Sequence, residues 1–190
     1  MARLASRPHV LGVDDGPFDK RRDATTALVG VMTEGATRVE AVAVTSFPID
    51  GPDVTRFLAA WIEKLRFRPS LQAVALGGLT LAGLAVVDLD DLARRLALPV
   101  ISVSRKDPAQ SRVAEALRAA GLAERIAILE RAPAAVRIEA GLYLTFAGVD
   151  EAQARRLLAD LRDKSALPEP VRVAHLVAAA RVRGSSRGRA

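Results

Sequence analysis

The order of strand-like and helix-like segments constrains the fold of this chain more than any other feature. Three strand-like segments come first, over residues 9–14, 24–33 and 38–47, and a short turn at Glu34-Gly35 joins the second to the third. This run predicts an antiparallel meander. Helix-like and strand-like segments then alternate, which is typical of parallel strands joined by helices.

The later part of the chain keeps this alternation. Apolar periodicity predicts helices at 53–65, 88–96, 107–120, 150–161 and 171–182, and strands at 73–76, 100–104, 136–138 and 142–146. Residues 125–129 fit neither class, and Pro168-Glu169-Pro170 predicts an extended connection. The whole order predicts an α/β fold with a ribonuclease H-like mixed sheet. We expect one domain over residues 1–183 and a basic tail over 184–190.

Composition excludes several classes of protein. Half of the 190 residues are hydrophobic, which favours a globular protein over a disordered one. The chain lacks cysteine, so disulfides, thiolate catalysis and cysteine-based zinc sites are excluded. No apolar run reaches the roughly eighteen residues of a membrane span, and the N-terminus lacks the apolar core of a signal peptide. We therefore expect no membrane partner and a cytoplasmic location.

Two adjacent acids, Asp14 and Asp15, follow the buried run of the first strand and precede a Gly16-Pro17 turn. Carboxylates at an exposed strand end suit a hard divalent cation such as Mg²⁺ or Mn²⁺. Because side chains alternate along a strand, one acid faces the site, and the parity with Gly12 favours Asp14. The alternative is ordinary turn chemistry, since Asp-Gly-Pro is common in loops.

Asp53 and His175 are the other candidates for chemistry. Asp53 lies where the third strand passes to the first helix, and in a meander the first and third strands end at the same edge of the sheet. Asp53 can therefore approach Asp14 and share a metal, although a plain helix N-cap explains it as well. His175 could orient water or phosphate near a metal, or it could be simply packed or solvated in its Ala/Val-rich helix.

Basic residues are concentrated near the C-terminus. The formal net charge is +6, and the tail from residue 180 contains no acid but four arginines: Arg181, Arg183, Arg187 and Arg189. Such a tail favours a polyanionic partner such as nucleic acid, unless it is only a solvated tail of an arginine-rich protein.

Three further cations are candidates for contacts to nucleic acid. Arg105 and Lys106 follow a predicted strand and could hold phosphates, or they could lie in an exposed loop. Arg172 lies three residues before His175. The chain has one Trp and one Tyr, which gives little support to a platform for stacking single-stranded bases.

Five segments in this order resemble the archaeal endonuclease dU family: HVLGVDDGPF, ALGGLTLAGLAVVDLDDL, LPVISVSRKDP, PEPVRVAHLVA and RGSSRGR. The resemblance runs from residue 9 to residue 189. It implies a ribonuclease H-like fold, kinship with endonuclease V, and a metal-dependent endonuclease that acts on DNA containing deoxyuridine.

The resemblance also implies site residues. Asp14, with Asp15 beside it, corresponds to the acid of the first motif, His175 to the histidine of the last helix, and Asp53 to the approximate position of a catalytic glutamate in endonuclease V. One position departs from the family pattern, because Gly77 stands where the family carries an acid that binds metal in the endonuclease V relatives. Metal binding can survive this loss, but a two-metal mechanism would be weakened.

Three hypotheses for the function remain open on the sequence alone. The first is a Mg²⁺-dependent endonuclease for damaged DNA, in which Asp14 and Asp53 hold the metal and the basic residues grip the backbone. The second, motivated by Gly77, is a nucleic-acid-binding protein of the same fold with little or no catalysis. The third is an interaction protein whose arginine tail engages an acidic partner.

Overall fold

The computed structural model describes residues 7–108 and 112–187. The strands are His9–Asp15 (β1), Thr25–Glu34 (β2), Arg38–Pro48 (β3), Ala73–Leu76 (β4), Thr80–Leu81 (β5), Ala85–Val86 (β6), Val100–Ser104 (β7), Val136–Glu139 (β8) and Leu142–Ala147 (β9). The helices are Val54–Glu63 (α1), Leu89–Leu96 (α2), Val113–Ala119 (α3), Ile126–Arg131 (α4), Glu151–Asp160 (α5) and Glu169–Arg183 (α6). Short 3₁₀ turns lie at Arg68–Ser70 and Ala123–Arg125.

Seven of the strands form one mixed sheet in the order β3-β2-β1-β4-β7-β9-β8. The first three strands pair antiparallel as a meander, β1 pairs parallel with β4 and β4 with β7, and β9 runs antiparallel between β7 and β8. This topology confirms the predicted α/β fold with a ribonuclease H-like mixed sheet. The acids at the end of β1 lie near the middle of the sheet, where a parallel neighbour ends beside them.

The two faces of the sheet bury different helices. Leu11 and Val13 of β1 pack in a cluster with α1 and α2, whereas Val10 faces the other side and packs with α5. A smaller cluster joins β2 to α6 through Val29 and Ala174. The alternation of β1 therefore sends every second residue toward the face that α5 and α6 cover.

Two predicted helix starts carry the expected caps. The Asp88 carboxylate accepts the Asp91 backbone N–H at 2.9 Å before α2. Asp150 caps α5 by accepting the Gln153 N–H at 2.8 Å, and the Gln153 side chain accepts the Asp150 N–H in return. Such caps satisfy backbone donors that have no partner inside the helix.

Four local features differ from the sequence prediction or were not assigned by it. Glu169 and Pro170 form the first turn of α6 rather than an extended connection, because proline at the start of a helix removes an N–H that has no intrahelical acceptor there. Residues 125–129, which fit neither class in sequence, end a 3₁₀ turn and begin α4. The β5–β6 hairpin was not predicted, since strands of two residues show no periodicity. The helix expected from residue 107 begins at Val113, and residues 109–111 lie outside the described residues.

Within the described ranges, the structure has no helix of the length and apolarity that a bilayer crossing requires. The tail boundary coincides with a structural one, since α6 ends at Arg183 and Gly184 follows with a left-handed φ of 75°. Arg189 lies outside the described residues. The single domain over residues 1–183 and the cytoplasmic location remain predictions.

Candidate active site

Helix α6 lies along β1 on one face of the sheet, and two glycines allow this approach. A Cβ atom on Gly12 would lie 2.2 Å from the backbone carbon of Pro170, so the start of α6 rests directly on the strand. A Cβ atom on Gly16 would lie 3.2 Å from the backbone carbonyl oxygen of Ala178, further along α6. Two residues of a strand span about 6.6 Å and four residues of a helix about 6 Å, so two steps along β1 match about four steps along α6. The strand residue between the glycines, Asp14, therefore faces the middle of α6.

The residue that meets Asp14 is His175. Its Nδ1 lies 2.8 Å from Asp14 Oδ2, and the other carboxylate oxygen, Oδ1, accepts the Asp15 backbone N–H at 3.0 Å. The Asp14 side chain is 18% exposed and the His175 side chain 61% exposed. The hydrogen bond to Asp14 raises the pKa of His175 above its ordinary value, because the carboxylate favours the imidazolium. The pair thus fixes the Asp14 carboxylate while the imidazole stays open to solvent.

The Asp15 carboxylate lies beside that of Asp14 and next to the β5–β6 hairpin. Burial and the neighbouring charge of Asp14 raise its pKa from 3.8 to about 7, although hydrogen bonds from backbone N–H groups of Asp15 and Ala82 favour the carboxylate. The Asp14 and Asp15 carboxylates thus lie close together in a partly buried site. A bound cation would relieve their repulsion.

Gly77 lies beside Asp14 on the neighbouring strand. Val13 of β1 pairs with Leu76, the last residue of β4. The residues that follow them, Asp14 and Gly77, therefore lie next to each other at the same edge of the sheet. A Cβ atom on Gly77 would lie 3.4 Å from Asp14 Oδ1 and 3.3 Å from the Val171 side chain. The position that the resemblance assigns to a metal-binding acid therefore faces Asp14 directly, and here it has no side chain.

Asp53 is not among the described residues that line a cleft with Asp14, and its place at a metal site stays a prediction. Asp53 begins α1 with a left-handed φ of 56°, is exposed, and makes no capping hydrogen bond with its side chain. The first and third strands do end at the same edge, but β2 lies between them, so their axes are about 10 Å apart. The chain then turns from β3 toward α1, on the face opposite α6.

Asp50, three residues earlier, binds the surrounding loops. Its carboxylate accepts the Leu84 backbone N–H at 2.7 Å and the Lys20 ammonium at 2.6 Å. The buried Arg125 donates to the carbonyls of Asp50 at 2.8 Å and Leu84 at 2.9 Å. This network joins the end of β3, the β5–β6 hairpin and the start of α4.

Asp14, Asp15 and His175 line an open cleft of about 1680 Å³, larger than the pockets that enclose small molecules. The five predicted nucleic-acid contacts all line the same cleft: Arg105, Lys106, Arg172, Arg183 and Arg187. They come from the end of β7, from α6 and from the segment after α6. The structure thus joins cations from distant parts of the sequence around the two acids.

Arg172 differs from the other four cations. Its guanidinium binds the buried Glu169 carboxylate in a bidentate manner, with donor–acceptor distances of 2.6 and 2.9 Å, and this contact raises the pKa of Arg172. Glu169 is only 5% exposed, so Arg172 has a structural partner as well as a place on the cleft wall. Among the described residues, the structure gives no comparable ion pair to Arg105, Lys106, Arg183 or Arg187.

Metal ligation at this site rests on few donors. No group of three or more His, Asp or Glu side chains with the geometry of a metal site occurs among the residues that the structure describes. The pair Asp14 and Asp15 nevertheless fits Mg²⁺, which commonly binds one or two carboxylates and completes its shell with water and phosphate oxygens. Phe18 also lines the cleft, and no periodic pattern in the sequence distinguished it.

Comparison with known proteins agrees with the sequence resemblance. The family model for endonuclease dU matches residues 6–182. A UPF0215 protein of the archaeon Methanothermobacter thermautotrophicus is 34% identical over 99% of this chain and 94% of its own length. A solved structure of a protein of unknown function from Archaeoglobus fulgidus has a TM-score of 0.83 and 33% identity, covering 93% of this chain and 98% of that one.

A more distant similarity concerns the fold. The endonuclease V of Ciona intestinalis, solved in complex with a 24mer DNA containing an inosine followed by a ribo-adenosine, has a TM-score of 0.58 and 12% identity. The match covers 88% of this chain and 82% of that chain. The two proteins therefore share a fold.

Proposed function

This chain belongs to the endonuclease dU family, and we propose that it is a metal-dependent endonuclease that cleaves DNA containing deoxyuridine. The observation that carries the proposal is the 2.8 Å contact between Asp14 and His175 in a cleft lined by cations. A strand-end carboxylate held by a histidine from another element is a preorganised group, which suits metal-assisted phosphodiester hydrolysis.

Asp14 and Asp15 are the residues that would hold the cation, Mg²⁺ or Mn²⁺. When bound there, it would polarise the phosphate and acidify a water molecule. His175 keeps the Asp14 carboxylate in one orientation through Nδ1. Because the ring is largely exposed, its second nitrogen can reach a water molecule or a phosphate oxygen.

The cations of the cleft provide the contacts to DNA in this proposal. Arg105 and Lys106 lie at the end of β7, and Arg183 and Arg187 lie at and beyond the end of α6. Together they surround the acids with positive charge that complements a phosphate backbone. The partner is DNA, and a cytoplasmic location is consistent with this role.

The experiment that tests this function is cleavage of a labelled duplex containing one deoxyuridine, with Mg²⁺ or Mn²⁺, beside a matched thymidine duplex and an EDTA blank. We expect cleavage of the deoxyuridine strand alone and none in EDTA. Asp14→Asn should lower the rate by roughly 10²- to 10⁴-fold, because it removes a charged ligand and its partnership with His175.

Asp90→Asn is the matched control, since it makes the same chemical change at an exposed aspartate of α2, outside the cleft lining. Its rate should stay close to that of the wild type. Equal losses in both variants would contradict the site, and full activity of Asp14→Asn would remove Asp14 from the mechanism.

Gly77 favours a second candidate function, a DNA-binding protein of the same fold with impaired catalysis. The position facing Asp14 at 3.4 Å offers no third carboxylate, so charge compensation for a cation is reduced. Absence of cleavage by the wild-type chain, with DNA binding confirmed in the same low-salt buffer, would support this alternative.

Gly77→Asp tests whether that position limits the metal site. The new carboxylate would enter beside Asp14, and the Val171 side chain at 3.3 Å must move by a few tenths of an ångström. We expect Mn²⁺ to bind about tenfold more tightly, equivalent to about 1.4 kcal/mol, in a calorimetric titration. Gly77→Asn is the control of equal size without charge, and equal Mn²⁺ affinities for the two variants would contradict a lost ligand.

A further inference from the structure

Phe18 is the aromatic residue of the cleft. The chain has five Phe, one Tyr and one Trp, and among the cleft-lining residues that the structure describes Phe18 is the single aromatic one. It lies three residues beyond Asp15 and is partly exposed. It belongs to none of the hydrophobic clusters of the described residues, either as a member or as a partly buried neighbour. Its ring is therefore not explained by core packing.

The ring is supported from one side by the β5–β6 hairpin. A Cβ atom on Gly83 would lie 3.3 Å from Phe18 Cζ, so the end of the ring rests on the backbone of the hairpin turn. That turn is held by two hydrogen bonds at Leu84, whose N–H donates to Asp50 and whose carbonyl accepts from Arg125. This hydrogen-bonded turn thus supports an apolar ring in the same cleft as two carboxylates and several cations.

We propose that Phe18 stacks on a nucleobase that is unpaired or displaced from the duplex next to the cleaved phosphate. This inference rests on the proposed function, because it requires nucleic acid in the cleft. Cations hold the phosphates of a strand but offer nothing to its bases, whereas an aromatic face offers a stacking surface to any base. An enzyme that acts at a damaged base gains from such a surface once the base has left the stack.

The test is a binding cycle that crosses a change in Phe18 with removal of a base. The full-length chain is titrated in EDTA at low salt, with fluorescence anisotropy, against a labelled duplex carrying one unpaired thymidine and against the same duplex with an abasic site there. We expect Phe18→Ala to weaken binding of the thymidine duplex roughly 5- to 150-fold and to leave the abasic duplex nearly unchanged. Equal losses on the two duplexes would overturn the proposal.

Two further variants separate stacking from packing against the hairpin. Phe18→Tyr keeps the aromatic face and should bind the thymidine duplex like the wild type. Phe18→Leu keeps an apolar contact with Gly83 but has no ring face, and should bind like Phe18→Ala. Wild-type affinity of Phe18→Leu would overturn stacking. Thermal unfolding of each variant identifies any loss of folded protein.

The same titration separates this proposal from the proposed function. If the wild-type chain binds duplexes and the Phe18 variants bind equally well, the stacking role is wrong and the nucleic-acid cleft stands. If the wild-type chain binds no duplex even at low salt, both are overturned. Because the titration is done in EDTA, its result does not depend on cleavage.

Discussion

At the scale of single residues, the two neighbouring acids of β1 have different surroundings. Asp14 faces α6, where His175 and a backbone N–H occupy its two oxygens. Asp15 lies beside Asp14 and the β5–β6 hairpin, and burial together with the charge of Asp14 raises its pKa to about 7. Adjacent residues of a strand thus supply one carboxylate oriented by His175 and one whose proton is lost near neutral pH.

Asp15 should make folding stability depend on pH in a defined window. In the unfolded chain this acid loses its proton near its ordinary pKa of 3.8, whereas the folded chain retains the proton up to about pH 7. Between these values the folded state binds more protons, so the free energy of unfolding falls as the pH rises, and the loss is complete above about pH 7. Asp15→Asn should therefore gain stability relative to the wild type between about pH 4 and pH 7 and then stay level.

Urea denaturation in EDTA at several pH values measures this difference. His175 changes stability in the same direction, since its pKa is raised on folding and its contribution, present below pH 6.5, is lost as the pH rises through that raised pKa. The Asp15 comparison is therefore repeated in a His175→Asn background. A difference between wild type and Asp15→Asn that does not change with pH would contradict the assignment.

At the scale of elements, the register of α6 on β1 creates the site. Asp14 and His175 are 161 residues apart in sequence. They meet because two residues of β1 span nearly the same length as four residues of α6 between the close contacts at Gly12 and Gly16. Each glycine serves as a close-contact position rather than a flexible one. The packing of α6 is thus a direct condition for the orientation of the Asp14 carboxylate.

Gly12→Ala should disturb this packing strongly. Its Cβ atom would lie 2.2 Å from a backbone atom of Pro170, so α6 must move rather than a flexible side chain. We expect a loss of about 1–3 kcal/mol or more in the free energy of unfolding, together with weaker Mn²⁺ binding. Chemical denaturation and calorimetry measure the two effects.

Gly77→Ala is the matched control, just beyond the end of the neighbouring strand β4. Its Cβ atom would lie 3.3 Å from the end of the Val171 side chain, which can give way. The change in stability should therefore stay below about 1 kcal/mol. Equal destabilisation by the two variants would show that the contact between α6 and β1 is not as close as the structure has it.

The elements could be predicted from the sequence where a pattern extends over enough residues. The meander, the capped helices α2 and α5 and the two parallel strands all have such patterns. The β5–β6 hairpin could not be predicted, because two-residue strands carry no period. The first turn of α6 was missed because two prolines close together usually indicate an extended chain. Here Pro168 is the N-cap residue and Pro170 lies in the first turn, where proline is tolerated.

The site was predictable in part, for a related reason. Strand parity alone assigned Asp14 to one face, but its contact with His175 follows from the packing of α6, which no local pattern contains. The topology of a meander correctly brings the ends of β1 and β3 to one edge, yet it gives no lateral distance, so a role for Asp53 beside Asp14 stays a prediction.

At the scale of the whole molecule, the two faces of the sheet have different roles. The face toward α1 and α2 holds the largest hydrophobic cluster, whereas the other face combines the packing of α5 and α6 with the cleft. Cations from β7, α6 and the segment after it converge there. Binding of DNA in this cleft should therefore depend on salt through a few identified side chains rather than through the net charge of +6.

The double variant Arg183→Ala, Arg187→Ala tests this at the end of α6. Each phosphate contact contributes about 0.9 to the slope of log K against log salt concentration, because it releases counterions from the duplex. We expect the double variant to weaken DNA binding and to reduce the magnitude of that slope by about two. Anisotropy titrations at four salt concentrations, with a duplex lacking deoxyuridine, give the slope without any contribution from a lesion.

Arg56→Ala is the control: it removes an exposed arginine of α1, a helix that packs on the opposite face of the sheet, and it should leave the slope unchanged. If each arginine lost, including Arg56, reduced the slope equally, binding would follow net charge and the cleft would have no special part in it.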